Sequence, residues 1–259
     1  MSEGGATHVR PLALVTGGWR RIGAAIAMKL ADEGWDLALH AHHDTSFEPD
    51  LATALAARGA AVHPLAADLG DTAAAARLVA EAAERAGRPA TLLVNCASMF
   101  RDDDVHTVSG ESLEDHFRVN LFAPVLMTRA FAEALGGAAG AVVMILDQRV
   151  VNPVPDQLGY TLSKQALHAS VRTLARALAP RIRVNGVAPG LTLPTVDYAA
   201  DQWQRLEKLM PLHRLAAPEE IAAAVHYLAA APSVTGQTIF VDAGASLESY
   251  ARDFVYLAK

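Results

Sequence analysis

The chain has 259 residues, 52% of them hydrophobic, a formal net charge of −6 and one cysteine. A single cysteine excludes an intrachain disulfide framework and fits a reducing compartment, so the expected location is cytoplasmic. The acidic balance and the lack of a basic run argue against nucleic acid, and no apolar stretch approaches the length of a membrane span.

Met1 to Arg10 lacks the apolar core of a signal peptide and reads as a flexible N-terminal tail. The first strand is expected near 11–16, in the run Leu12-Ala-Leu-Val15. Thr16-Gly17-Gly18-Trp19-Arg20-Arg21-Ile22-Gly23 and a helix over 21–34 follow. Glycines there let the backbone approach a pyrophosphate, and the helix N-terminus behind them offers unpaired N–H groups and the positive end of a dipole. Gly17 and Gly23 sit where a dinucleotide cradle needs small residues, while Arg21 stands where a middle glycine is common.

A strand at 35–41 and a helix at 48–58 come next, joined through His40-Ala41-His42-His43-Asp44-Thr45-Ser46. An NAD-binding chain of this kind usually ends the strand in an acid that holds the ribose hydroxyls, and a carboxylate there repels a 2′-phosphate. Here histidines take that place. With Arg20 and Arg21 on the neighbouring turn, and Thr45 and Ser46 as hydroxyl donors, the pocket favours NADPH. Asp44 is the competing feature, an acid shifted along the loop. No carboxylate or cysteine completes a ligand set of usual spacing around His40, His42 and His43, so no metal is expected.

After a strand at 60–66 and a helix at 71–87, the strand at 90–96 ends in Asn95-Cys96-Ala97-Ser98, small polar residues directed at a crevice. Cys96 reads as a small buried residue, not a nucleophile. Phe100 offers a flat face for stacking, and Asp102, Asp103 and Asp104 read as a solvated loop edge. Helices over 111–135 include Asn120, a polar amide on a face turned to the sheet. A strand at 140–147 ends at Asp147, and a long helix over 157–179 carries Tyr160 and Lys164. A strand at 181–187 leads to Pro189-Gly190. A helical insertion near 196–210, a helix at 218–230 and a strand at 237–242 complete the order. The insertion, within 191–214, is placed as a substrate lid. Strict alternation of strands and helices implies an α/β, doubly wound parallel sheet with right-handed crossovers, and no linker or repeat divides it.

Tyr160 and Lys164 lie one helical turn apart. An ammonium beside a phenol favours the phenolate, while a carboxylate, if Asp147 lies close, favours the protonated form, so the three together can hold a transferable proton.

Taken in order, these segments resemble the short-chain dehydrogenase/reductase family from Leu12 to about Leu247. The resemblance implies a single Rossmann domain over 11–247, a seven-stranded sheet in the order 3-2-1-4-5-6-7, and a C-terminal tail over 248–259. It implies catalytic roles for Asn120, Tyr160 and Lys164. Cofactor contacts are implied from Gly17, Arg20, Arg21, Ile22 and Gly23 in the first turn, and from His40, His42 and His43 after the second strand. Asp68 and Leu69, then Asn95, Ala97 and Ser98, and finally Tyr160, Lys164, Pro189, Gly190 and Thr192 complete the implied cofactor site.

Three departures from the common pattern are similar to the pteridine reductase branch, whose features bacterial dihydromonapterin reductases share. They are Asp147 where a serine is usual, Arg21 in place of glycine, and Ala97-Ser98-Met99-Phe100. In that branch the pterin lies between an aromatic ring and the nicotinamide. The likeness implies that Phe100 stacks, that Arg21 and Ser98 bind, and that Asp147 and Tyr160 touch the substrate and handle its proton. The expected activity is NADPH-dependent reduction of a dihydropterin such as dihydrobiopterin or dihydromonapterin, with dihydrofolate a further candidate. The alternative is reduction of a ketone, aldehyde or acyl substrate by the same chemistry. A non-catalytic nucleotide sensor would be expected to lose Tyr160 or Lys164. The resemblance also implies a homotetramer, or at least a dimer, in which helices 111–135 and 157–179 pair through small residues such as Ala166, Ala169 and Ser170.

Overall fold

Seven short strands form the centre of the molecule; the inner ones are buried on both faces, which is why they read as near-continuous hydrophobic stretches, while the two at the edges are partly buried. The computed structural model describes residues 9–194, 198 and 201–258, except the side chain of Thr45. The strands are β1 (Leu12–Val15), β2 (Asp36–Ala41), β3 (Val62–Ala66), β4 (Leu92–Asn95), β5 (Gly140–Ile145), β6 (Ile182–Pro189) and β7 (Thr238–Val241). They form one parallel sheet in the order β3-β2-β1-β4-β5-β6-β7, with Leu14 of β1 in register with Ala38 on one side and Leu93 on the other. Strand order reverses at β1, so a crevice opens at the carboxyl ends of β1 and β4.

One face of the sheet is covered by α1 (Arg21–Asp32), α2 (Pro49–Ala56) and α8 (Pro218–Ala230), through Ile26, Leu55 and Val225. The other is covered by α3 (Thr72–Ala86), α5 (Ala123–Leu135) and α6 (Leu158–Leu178), through Leu78, Phe131 and Leu167. A third, smaller apolar cluster joins α7 (Gln202–Leu209) to the C-terminal segment, through Leu206, Met210 and Phe254. The helix expected near 196–210 corresponds to α7; part of that range, residues 196, 197, 199 and 200, lies outside the described residues, as do residues 1–8 of the N-terminal tail.

The stretch expected as helices over 111–135 is a continuous helix with an insertion. α4 (Gly110–Phe117) runs into one π-helical turn, Arg118–Phe122, before α5 begins. Pro124, in the first turn of α5, has no N–H to give the carbonyl of Asn120, so the α-helical ladder is broken at that residue. Asn120 lies inside this turn and is 1% exposed.

Two expectations from the sequence change. Asp103 is not solvated: it is 8% exposed and accepts from Gly159 N and from Ser112 Oγ, both at 3.0 Å, which stitches the first turn of α6 to α4. Residues 248–258, expected as a C-terminal tail, are bound to the rest of the chain. Asp253 N donates to Asp156 Oδ2 at 2.7 Å, Arg252 Nε donates to both Asp156 oxygens at 2.8 and 2.9 Å, and Gln202 Nε2 donates to the Leu257 carbonyl at 2.6 Å. The partners of these polar residues lie up to 97 positions away, beyond the reach of local pattern.

Asp103→Ala is expected to leave the buried Gly159 N–H without its acceptor, at a cost of about 1–3 kcal/mol. Each kcal/mol lowers the melting midpoint of a chain this size by about 2–4 °C. A thermal melt within a degree of the parent would contradict this role for Asp103.

Candidate active site

The ends of β1, β4, β5 and β6 border a crevice of about 670 Å³. Its floor is the turn after β1. Gly17 has φ +62°, and a Cβ built on Gly23 would stand 2.0 Å from the Gly17 carbonyl oxygen, so no larger residue lets the turn close. Thr16 Oγ1 accepts from Cys96 N and Ala97 N at 2.9 and 3.0 Å, tying the end of β1 to the end of β4. These features fit a dinucleotide phosphate cradle: closely approached backbone at the start of a helix, with Arg20, Arg21 and Ile22 on the crevice wall. Arg21 has φ +52°, a left-handed conformation that strains a side-chain-bearing residue by about 1–3 kcal/mol and explains why glycine is common there. Its guanidinium spans the mouth of the crevice to the carbonyls of Leu193 and Pro194, at 3.4 and 3.5 Å.

The end of β2 differs from expectation in detail. His40 is 2% exposed and works as a wedge: Gly17 N donates to its Nδ1 at 3.3 Å, and its Nε2 lies 2.9 Å from the Ala67 carbonyl. Burial pushes its pKa below the ordinary histidine value, so the ring is neutral and both nitrogens are engaged, leaving none for a phosphate. His42 is exposed on the crevice wall, with Nδ1 3.7 Å from Asp68 Oδ1. His43 packs on His42, ring centroids 4.0 Å apart, and stands off the crevice. Ser46, Asp68 and Leu69 face the crevice; Asp44 does not; the Thr45 side chain lies outside the described residues.

Of the residues after β4, Ala97, Ser98 and Phe100 line the crevice, and Asn95 does not. Asn95 is 3% exposed and its Nδ2 donates to Met144 Sδ at 3.3 Å, because this position on the strand points into the sheet's packing. Asn120, expected at the chemistry, is likewise turned inward. It accepts from Met99 N at 2.8 Å and from Ser98 Oγ at 3.1 Å, and its Nδ2 donates to the Met99 carbonyl and to Ser163 Oγ. Its amide joins the β4 loop to α6 and accepts from Ser98, and none of its four hydrogen bonds goes to the side chain of Tyr160 or Lys164. Pro189 and Gly190 border the crevice, whereas Thr192 turns back to donate to the Gly190 carbonyl at 2.8 Å and lies off the lining.

At the far wall, Tyr160 donates its hydroxyl to Asp147 Oδ2 at 2.9 Å. Burial, and then the Asp147 charge, push the phenol well above its ordinary pKa, with Arg149 working in the opposite sense, so the proton stays on the oxygen. Lys164 Nζ donates to the Ile145 carbonyl at 2.8 Å, and burial lowers its pKa to about 8 against the pull of Asp147. Phe100 is 51% exposed, its ring edge-on to Tyr160 at 4.8 Å between centroids. Cys96 also borders the crevice, but burial raises its thiol to about 11, so no thiolate forms at neutral pH.

The residue that sequence reasoning missed is Arg149. Asp147 caps the short helical turn after β5, and its Oδ1 accepts from both Arg149 N, at 2.9 Å, and Arg149 Nε, at 3.2 Å. Nη1 donates to Gln157 Oε1 at 3.1 Å and Nη2 to Asp253 Oδ2 at 2.7 Å. Burial opposes the charge of Arg149, yet the two carboxylates more than offset it and its pKa rises. The guanidinium also lies 5.2 Å from the Tyr160 ring and 5.9 Å from that of Phe100. A basic residue two positions beyond Asp147 was the available signal. Nothing local pointed to Asp253.

A family profile described as enoyl-(acyl carrier protein) reductase matches residues 18–246. The chain belongs to the short-chain dehydrogenase/reductase family. Among solved structures, FolM alternative dihydrofolate reductase 1 from Brucella canis, complexed with NADP, is 39% identical. The match covers 92% of this chain and 95% of the other, with a TM-score of 0.85. Pteridine reductase 1 of Leishmania tarentolae is 31% identical, over 92% of this chain and 96% of its own length. Human dehydrogenase/reductase SDR family member 4 is 33% identical, over 94% and 92%. The FolM and pteridine reductase 1 matches support the pteridine reductase-like branch, and the all-parallel sheet order matches solved structures of the family.

Lys164 carries a further expectation. A lysine whose pKa drops from 10.5 to about 8 on folding penalises the fold as pH falls through that window, and the penalty is complete below about 8. Lys164→Met should therefore gain stability relative to the parent as pH is lowered from 10.5 to 8 and hold that gain below, read as urea midpoints across the range. A gap independent of pH would contradict the buried, depressed lysine.

Proposed function

We propose that the protein is an NADPH-dependent reductase of dihydropterins, and the Tyr160–Asp147 contact carries this reading. A serine at position 147 would offer one hydroxyl. A carboxylate offers a charged acceptor for an amino-pyrimidine edge, and through its 2.9 Å contact it keeps the Tyr160 proton in place until a ring nitrogen takes it. The exposed Phe100 ring beside Tyr160 supplies a stacking face for a flat heterocycle.

Arg20, Ile22 and Gly23 would hold the phosphates with Gly17, Lys164 the nicotinamide ribose, and Arg21 both the pyrophosphate and the pterin edge. NADPH, when bound in the crevice, supplies the hydride. The chain's own work is to hold the phenolic proton on Tyr160 Oη, to release it to the substrate, and to receive the resulting negative charge beside Arg149 and Lys164, 5.2 and 5.7 Å from the ring. Two observations support NADP over NAD. The solved Brucella canis relative carries NADP, and the residues from the end of β2 that face the crevice, His40, Ala41, His42 and Ser46, include no acid.

The test is a kinetic screen of NADPH and NADH against dihydropterins, dihydrofolate and a panel of ketones. Dihydropterin should be the best substrate, with NADPH preferred. Arg21→Ala should weaken NADPH by about 1.5–3 kcal/mol, the size of a charge-assisted contact. Tyr160→Phe should cut turnover about a hundredfold or more. Asp147→Ser should cut dihydropterin turnover while leaving NADPH affinity nearly unchanged. Ketone turnover that exceeds dihydropterin turnover and survives Asp147→Ser would replace this reading with the ketone, aldehyde or acyl reductase.

The same reading makes the protein a homotetramer, or at least a dimer. Phe122 and Leu162 are 44% and 39% exposed, and Ala169 is exposed on the same helix as Leu162, a surface suited to close helix pairing. Light scattering at micromolar concentration should give at least twice the mass of the 27.3 kDa chain, and a monomer would overturn this assignment.

A further inference from the structure

Asp147 can serve the Tyr160 proton only if its carboxylate keeps one orientation. Its Oδ2 faces the phenol while Oδ1 is taken by Arg149, through the backbone N–H and Nε. Arg149 is 5% exposed and cannot choose its place freely, because a buried guanidinium must satisfy its donors. Its remaining donors are met by Gln157 Oε1 on one nitrogen and Asp253 Oδ2 on the other. Asp253, 6% exposed in its side chain, comes from the C-terminal segment, more than a hundred positions along the chain.

That segment is itself firmly held. Asp253 N and Arg252 bind Asp156, the Tyr256 hydroxyl donates to both Asp102 oxygens at 3.0 Å, and Phe254 is buried against Leu206 of α7. Asp102 in turn accepts from Gln157 Nε2 at 3.1 Å, so both outer partners of Arg149 are braced by the same strap. An arrangement of two carboxylates about one buried guanidinium is a poor way to gain stability, since desolvation consumes most of the attraction and apolar residues of like volume serve as well. Its geometry nevertheless ends on the one carboxylate that touches the proton donor.

We infer that Asp253 is a positioning residue for the reaction: through Arg149 it sets the orientation of Asp147 toward Tyr160, so the C-terminal segment is part of the machinery for proton delivery. The role rests on the proposed part of Asp147 in catalysis. Through the contacts of Arg149 with the rings of Phe100 and Tyr160, the same clamp also fixes the stacking face relative to the proton donor.

A double-mutant cycle on the full-length protein tests this. Asp253→Asn, Asp147→Ser and the combination are compared with the parent on whichever substrate of the panel turns over fastest, together with NADPH affinity and melting midpoint. Asp253→Asn should lower kcat about tenfold to a hundredfold, the cost of misplacing a reacting group by an ångström, with NADPH affinity within about twofold. In the Asp147→Ser background the same change should cost less than about threefold, because nothing remains for it to orient. Arg149→Met/Asp253→Leu, which removes both charges at similar volume, should melt near the parent and show at least the same loss of kcat. Equal losses from Asp253→Asn in both backgrounds, or full turnover in Arg149→Met/Asp253→Leu, would overturn the inference. So would failure of both Asp253 variants to fold or to bind NADPH, since the segment would then be structural only. A parent that reduces ketones and no dihydropterin would sink the substrate reading alone, because the cycle still reports coupling between Asp253 and Asp147 on the ketone.

Discussion

The close approach of Gly23 to the Gly17 carbonyl is the constraint on which the site is built. It allows the chain to leave β1 and enter α1 within one tight turn, and that turn gives the crevice a floor of backbone. Thr16 then locks the floor to the end of β4, and His40 locks it to the end of β2. Three parallel strands are thereby held at a common height, and the side chains beyond their ends converge. Arg21 tolerates a left-handed backbone at this point, a local cost accepted where the chain gains a cation at the crevice mouth.

The proton site shows a balance of opposing effects. Burial lowers the pKa of Lys164, opposes the charge of Arg149 and raises the pKa of Tyr160. The carboxylates of Asp147 and Asp253 reverse the effect for Arg149 and reinforce it for Tyr160, while Asp147 partly offsets it for Lys164, which is left at about 8. A cation thus persists next to an un-ionised, buried phenol at the crevice wall. In the folded chain Lys164 Nζ lies 5.7 Å from the Tyr160 ring and donates to the Ile145 carbonyl, and Arg149, absent from the sequence reading, adds a second cation that draws the phenol's pKa down.

Much of the fold could be read from the chain because strands and helices alternate with clear apolar runs, and helix and strand expectations fell within a few residues of the observed ends. The crevice could be read where it is made of local turn chemistry: Gly17, Ala97, Ser98, Pro189 and Gly190 lie at or just past strand ends, and Gly23 lies in the first turn of α1 behind β1. What could not be read is contact across the chain. His42 and His43 are neighbours of the same type, yet only one faces the crevice; Asn95 and Asn120 are polar residues in the right segments whose amides are used for packing. Residues 248–258 look like a tail in isolation because Arg252 and Asp253 acquire partners only after the sheet has brought Asp156 and Arg149 to them.

The π-helical turn at Arg118–Phe122 also sets a phase relation. An α-helix advances about 100° per residue, so the extra residue in this turn offsets the faces of α4 and α5 from those of an unbroken helix by about that angle. His116 on one side of the turn and Met127 and Phe131 on the other are all buried. The turn therefore behaves as a gear between two helical segments: a one-residue deletion there would mesh either α4 or α5 correctly with the rest of the molecule, but not both. Insertions and deletions along this helix are consequently constrained by angle more than by length, even though no residue of the turn except Val119 borders the crevice.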